Sequence, residues 1–268
     1  MSDKPLIESI DTNQEHHERS IGSLRGEVWL TVQSYQAQSL VHGRRSGDGK
    51  PAIIGLVGFA DRLKTLWQAT RQNDPYADWW LIKTEESIAA CREQLNHLFE
   101  QFNQLLKSHY SFQVTIAESS KPQRIALQFA NPYAFRAAQM LAEFDRLICT
   151  VMTVRHLGVA SPPTLDEQFE ASGRWLRRVF ALPQGYYFFD IDRNAVKQGT
   201  QRARNACDRM GEVPDDIMCG RRLPSLRPTP FRDPSTSLPS TGVSDVPFDS
   251  GDSGDSLNEP NADHEPSD

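Results

Sequence analysis

No apolar run in this chain approaches the roughly 18 residues that a membrane-spanning helix requires. The opening stretch, MSDKPLIESIDTNQEHHERS, is polar and acidic, without the basic start and apolar core of a signal segment. Both absences point to a cytoplasmic protein without a membrane partner. Cysteine is sparse: Cys91, Cys149, Cys207 and Cys219 stand far apart with no CxxC pair, which argues against a disulfide framework and a structural zinc site. His16 and His17 sit in the polar lead-in, and His42, His97, His109 and His156 are scattered with no HxH or HExxH spacing. A metal-dependent DNA-nicking enzyme, which needs clustered ligands, is disfavoured.

The motifs of other enzymes are missing too. In GRRSGDGKP (Gly43–Pro51), Arg44 stands where a Walker loop needs its first glycine, and Pro51 replaces the magnesium-binding hydroxyl after Lys50. A surface loop is the plainer reading, with Arg44, Arg45 and Lys50 able to touch a phosphate. Gly55 and Gly58 make no dinucleotide fingerprint, and there is no GxSxG elbow or paired Cys and His at a family spacing. Asp190 and Asp192 share a strand face, but a strand end meeting a helix capped by Asp192 explains them better than a magnesium pair. The sequence therefore reads as a non-enzyme without a cofactor.

What is present is a chain of 268 residues, 38% hydrophobic, enough for one sizeable core. Its net charge of −6 conceals an asymmetry. Asp233–Asp268 holds nine acidic residues and no Lys or Arg. Residues 23–118 balance at 10 basic and 10 acidic, whereas residues 119–232 hold 17 basic against 11 acidic. A basic half followed by an acidic tail fits a polyanion partner, with the tail competing for the same surface.

Periodicity predicts a strand over Arg25–Gln33, a short helix capped by Ser34, a helix over Ile53–Gln72, and a long helix capped by Asp74 with Pro75 at its first position. Ile88, Cys91, Leu95, Leu98, Phe102 and Leu105 form a heptad-like seam shorter than three heptads, which reads as core packing. Ser111–Ala117 alternates as a strand and is expected to pair in a hairpin with Arg124–Phe129. Asn131-Pro132 then caps a long helix with Tyr133, Ala137, Met140, Leu141, Phe144, Leu147, Ile148, Val151 and Met152 inward. Arg136, Gln139, Glu143, Arg146, Thr150 and Thr153 are placed outward. Ser161-Pro162-Pro163 reads as a rigid link, Thr164 as the cap of a helix to about Leu182, Tyr186–Ile191 as a strand, and Asn194–Met210 as one basic helix. The expected organisation is a disordered lead-in (1–22), a single α+β domain (23–222), mostly helical with a small antiparallel sheet, and a disordered acidic Pro/Ser/Asp-rich tail (223–268).

Several segments, LRGEVWLTV, GRRSGDGKPAIIGLVGFADRL, NDPYADWWL, KPQRIALQFANPYAFRAAQMLAEFDRL, TVMTVRHLG and MGEVPDDI, resemble one family. It comprises proteins of integrating conjugative elements grouped with the AcaB-like transcriptional regulators of conjugative plasmids. The resemblance runs from Leu24 to Ile217. It implies a homodimeric regulator that controls transfer genes and contacts double-stranded DNA in a ribbon-helix-helix manner. Under that resemblance Arg124, Ala126 and Gln128 would face base edges, where Arg favours guanine and Gln adenine. Asn131 and Tyr133, at the helix start, would hold a phosphate, while Arg136, Arg174, Arg177 and Arg178 would supply positive charge. The alternative reading strand carries Glu27, Trp29, Thr31 and Gln33. A second class of function, a structural or adaptor component of the transfer machinery that does not bind DNA, would use the seam around Ile88–Leu106 to bind a transfer-machinery or transcription partner.

Overall fold

The capping signals at Ser34, Asp74, Asn131 and Asp192 act where the sequence puts them, whereas Thr164 lies inside its helix. After β1 (Val28–Val32), the Ser34 hydroxyl accepts a bond from the Ala37 N–H (3.2 Å) and starts α1 (Tyr35–His42). The chain then folds into an antiparallel clip of β2 (Gly43–Arg44) and β3 (Ile53–Ile54). Two backbones cross here: a Cβ on Gly43, where φ is +72°, would lie 2.1 Å from the Ile53 carbonyl oxygen, and one on Gly55 would lie 2.4 Å from the Gly43 nitrogen. Only glycine fits at either point. Next come α2 (Leu56–Arg71), α3 (Pro75–Lys107), β4 (Gln123–Leu127), α4 (Pro132–His156) and α5 (Pro162–Ala181). A 3₁₀ turn (Leu182–Gly185) and the short helices α6 (Arg193–Lys197), α7 (Gln201–Met210) and α8 (Asp215–Met218) complete the order.

This computed structural model describes residues 28–47, 49, 51–108, 114–129 and 131–229, all within the unit Met1–Phe231. The expectations for residues 1–22 and for the tail beyond 229, in the separate unit Arg232–Asp268, fall outside the described residues.

α4 is the central helix: it packs most extensively on α3 and also meets α1, α2, α5 and β1. Enclosure on so many sides explains one departure from the expected pattern. Thr150 and Thr153, placed outward by periodicity, are buried, and Met152, placed inward, is 36% exposed. The two hydroxyls are satisfied by donating to the carbonyls of Arg146 and Cys149, four residues back (2.9 Å each). Between α3 and α4, Arg92 grips Glu143 through Nε (2.9 Å to Oε2) and Nη2 (2.5 Å to Oε1).

The α3 seam is core, as its length suggested. Ile88, Cys91, Leu95, Leu98 and Phe102 are buried; Leu105 turns outward and Leu106 takes its place. The face assigned to an adaptor partner is therefore occupied by the chain's own core.

Other expectations are corrected. α5 begins at Pro162 with Ser161 as its cap position, so the two prolines open the helix instead of linking to it. Residues 186–191 run without strand pairing. The single basic helix splits into α6 and α7 at Gly199, where φ is +62° and Thr200 recaps the chain by accepting from the Ala203 N–H. The ordered chain also passes residue 222: Pro224 and Pro228 are buried, and the Ser225 N–H donates to Glu85 Oε2 (3.1 Å).

The start of α3 carries a buried polar hub. Asp74 accepts from the N–H groups of Tyr76 (2.8 Å) and Ala77 (3.3 Å) and from the Tyr186 hydroxyl (2.7 Å). Burial nevertheless pushes its carboxyl up to about 6. The folded protein thus binds this proton more tightly than the unfolded chain does. The stability linked to Asp74 is complete below the ordinary value of 3.8 and is lost as pH rises through about 6. We expect Asp74→Asn, which retains a capping oxygen, to flatten the pH dependence of unfolding free energy between about pH 4 and 6 by on the order of 2 kcal/mol. Urea titrations at several pH values check this; an unchanged slope in the variant would refute it.

Candidate nucleic-acid interface

β1 and β4, about a hundred residues apart in sequence, pair antiparallel with Val28 opposite Leu127, Trp29 opposite Ala126, Leu30 opposite Ile125, Thr31 opposite Arg124 and Val32 opposite Gln123. The alternation then sorts the side chains. Leu30 and Val32 are buried, and Ile125 and Leu127 pack half-buried against the same core. Trp29, Thr31, Arg124 and Ala126 face outward and are exposed. Residues directly opposite one another share a face, so these four form one outward surface. The Arg124 guanidinium carbon lies 4.9 Å from the Trp29 ring centroid, a cation–π stack that lays the arginine along the ribbon.

This pairing corrects the hairpin expected from sequence. Residues 114–117 form no strand, and the Ala117 N–H donates instead to Thr153 Oγ1 on α4 (2.9 Å); residues 111–113 lie outside the described residues. The two strands treated as alternative DNA-facing elements are each other's partners.

The ribbon is fastened at one end by a buried carboxylate. Asp145, on α4 and 3% exposed, accepts from the N–H of Gln33 (2.6 Å), the N–H of Ser34 (2.8 Å) and the Ser34 hydroxyl (2.5 Å). The Gln33 side-chain oxygen in turn accepts from the Ser119 N–H (3.0 Å), which ties the approach to β4 to the end of β1. Gln33 is thus committed to support, and Glu27 lies outside the described residues.

The remaining sequence-derived residues divide. Gln128, just past β4, is exposed. Asn131 is 3% exposed and caps α4 by accepting from the Ala134 N–H (3.0 Å). Tyr133 is fully buried; its hydroxyl donates to the Leu226 carbonyl and accepts from the Leu226 N–H (3.2 Å each). Burial commits both side chains to partners within the fold. Arg136 pairs with Glu85 (3.0 Å) and lies 3.3 Å from the Ser225 hydroxyl, so it helps dock residues 225–226 on α3 and α4. On α5, Arg174 is exposed and pairs with Glu170 one turn back (3.3 Å), Arg178 is exposed, and Arg177 is half-buried.

Sequence reasoning missed the second polar hub. Asp78, fully buried on α3, accepts from Arg193 Nη2 (2.6 Å) and Arg227 Nη2 (3.2 Å). Arg193 also reaches the Ile217 carbonyl (3.2 Å) and the Asn73 side chain. NDPYADWWL held the signal: an acid four residues after a capping acid, among aromatics, marks a buried charge that needs a partner. Asp192 caps α6 by accepting from the Ala195 N–H (2.7 Å), and Asp190 pairs with Arg202 (3.2 Å). Among the described residues, no group of three or more His, Cys, Asp or Glu is placed to hold a metal ion, and no helix is long and apolar enough to cross a membrane.

The family model described as the transcriptional regulator AcaB matches residues 20–230. Among solved structures, the crystal structure of selenomethionine-containing AcaB from uropathogenic E. coli resembles this fold with a TM-score of 0.50, covering 73% of this chain and 95% of that one at 15% identity. No curated protein matches the sequence.

Proposed function

Because this chain belongs to the AcaB family of transcriptional regulators, we propose that it regulates transcription by laying the outward face of the β1–β4 ribbon into the major groove of double-stranded DNA. The observation that carries the reading is the ribbon itself: a two-stranded antiparallel element, wide enough for a groove, with Trp29, Thr31, Arg124 and Ala126 exposed on one side. Asp145 holds its end to the central helix, which gives base-reading side chains a rigid platform. Arg124 is the natural reader of guanine and Gln128 of adenine; Arg174, Arg177 and Arg178 add phosphate affinity. The transfer genes of an integrating conjugative element are the proposed targets, on the strength of the sequence resemblance.

Both strands of the ribbon come from one chain. Each protomer of a homodimer would therefore bring a complete ribbon to its own half-site, with half-sites spaced by about 34 Å or a multiple of it. This differs from a ribbon built across the two-fold axis.

We expect Arg124→Ala to cost about 1–3 kcal/mol of discrimination between cognate and scrambled promoter duplexes. Arg174→Ala should weaken both duplexes alike. Fluorescence anisotropy with the full chain at two salt concentrations measures both effects. Full sequence preference in an Arg124→Ala, Gln128→Ala double variant would overturn the ribbon assignment.

A further inference from the structure

A groove of about 390 Å³ opens between α1, the β2–β3 clip and α5, lined by Tyr35, Ser39, Leu40, Gly43, Arg44, Ile53 and Arg177. Two arginines from distant parts of the chain converge on it. Among the described residues neither Arg44 nor Arg177 pairs with a carboxylate; Arg44 donates one N–H to the Pro51 carbonyl (3.1 Å). That sets them apart from Arg92, Arg136, Arg155, Arg174, Arg193, Arg202, Arg222 and Arg227, each of which has an acid partner. Arg177 is half-buried and Arg44 exposed; a half-buried guanidinium such as that of Arg177 is costly to keep without an anion, and an anionic ligand held between the two would relieve that cost.

Both arginines are held in place by glycines. Arg44 sits on the clip whose geometry is locked by the Gly43 and Gly55 crossing. Arg177 folds back over Gly173, one turn earlier on α5, where a Cβ would come within 3.3 Å of its Nη1. A glycine in mid-helix is unfavourable relative to alanine, and here the bare backbone provides the bed for the guanidinium. Ser39, whose hydroxyl donates to the Gln36 carbonyl (2.8 Å), and Tyr35, 77% exposed at the rim, complete the lining.

We infer that this groove is a phosphate-binding site in which Arg44 and Arg177 together hold one phosphoryl group. Tyr35 stands four residues beyond Thr31 of the ribbon, so the phosphate can be a backbone phosphodiester of the DNA that the ribbon reads; a free phosphorylated small molecule offers the same chemistry. The first source rests on the DNA-binding reading above, and the second does not.

The test uses the full chain as wild type, Arg44→Ala, Arg177→Ala and the double variant, with circular dichroism and thermal melts to confirm equal folding. Arg177→Lys serves as a charge-retaining control should an alanine variant fail to fold. Binding of a promoter duplex is measured against salt, and binding of pyrophosphate by calorimetry. If DNA supplies the phosphate, each single variant lowers the slope of log affinity against log salt by about 0.9, on cognate and scrambled duplexes alike. The double variant then loses less than the sum of the two, because both act on one phosphate. If a small molecule supplies it, the DNA slope is unchanged and wild type binds pyrophosphate at least tenfold more tightly than either variant. Unchanged slopes together with no difference in pyrophosphate binding overturn the site. Should wild type bind no DNA at all, the ribbon reading fails, and pyrophosphate alone decides the groove.

Discussion

Asp78→Ala is expected to destabilise the fold by about 3–5 kcal/mol, the cost typical of removing one member of a buried ion pair and leaving its partner uncompensated. Asp78 is fully buried and Arg193 is 9% exposed, so water cannot take over the lost carboxylate without opening the packing. Two guanidiniums depend on the same oxygen, Oδ2, and they arrive from α6 and from the segment after α8. The loss should therefore loosen the whole C-terminal layer from the start of α3, not a single side chain. Urea unfolding of the full chain measures the free energy, and hydrogen exchange locates it. Protection should fall first over residues 193–227. A loss below about 1 kcal/mol would mean that the arginines find other partners. The hub need not be stabilising relative to an apolar replacement: a well-packed Asp78→Leu, Arg193→Leu, Arg227→Leu variant could match the wild type, as buried ion clusters often allow.

Asp145→Ala is expected to cost about 2–4 kcal/mol, since two backbone N–H groups and the Ser34 hydroxyl lose their acceptor at a buried site. This effect separates stability from function. Sequence-specific DNA affinity should fall more than non-specific affinity, because a ribbon released at its Gln33–Ser34 end no longer presents Trp29, Thr31 and Arg124 at fixed spacing. Asp145→Asn keeps one acceptor and should recover part of both losses. Equal losses on cognate and scrambled DNA would show that Asp145 supports the fold without positioning a reading element.

The likeness to AcaB regulators read over Leu24–Ile217 agrees with a family match over residues 20–230. The family signature turns out to be rich in structural hubs: Asp74, Asp78, Asn131, Tyr133 and Asp145 all lie in its segments, and all are buried. The resemblance implies a binding role for Asn131 and Tyr133 alone; in the structure the five side chains cap helices or satisfy buried partners. Exposure, which sequence pattern does not report for polar residues, separates these from Trp29, Thr31 and Arg124.

The sequence by itself determined the elements whose cause is local. Ser34, Asp74 and Asn131 cap helices because a side-chain oxygen reaches an N–H two or three residues on. The α3 seam and most of the inner face of α4 follow from helical periodicity. Tertiary structure decided which strand meets which. β1 and β4 each alternate, and each offers an apolar face, but nothing in either stretch names a partner about a hundred residues away. The core enclosing α4 chose between a neighbouring segment and a distant one. That choice placed the two candidate reading strands side by side on one ribbon.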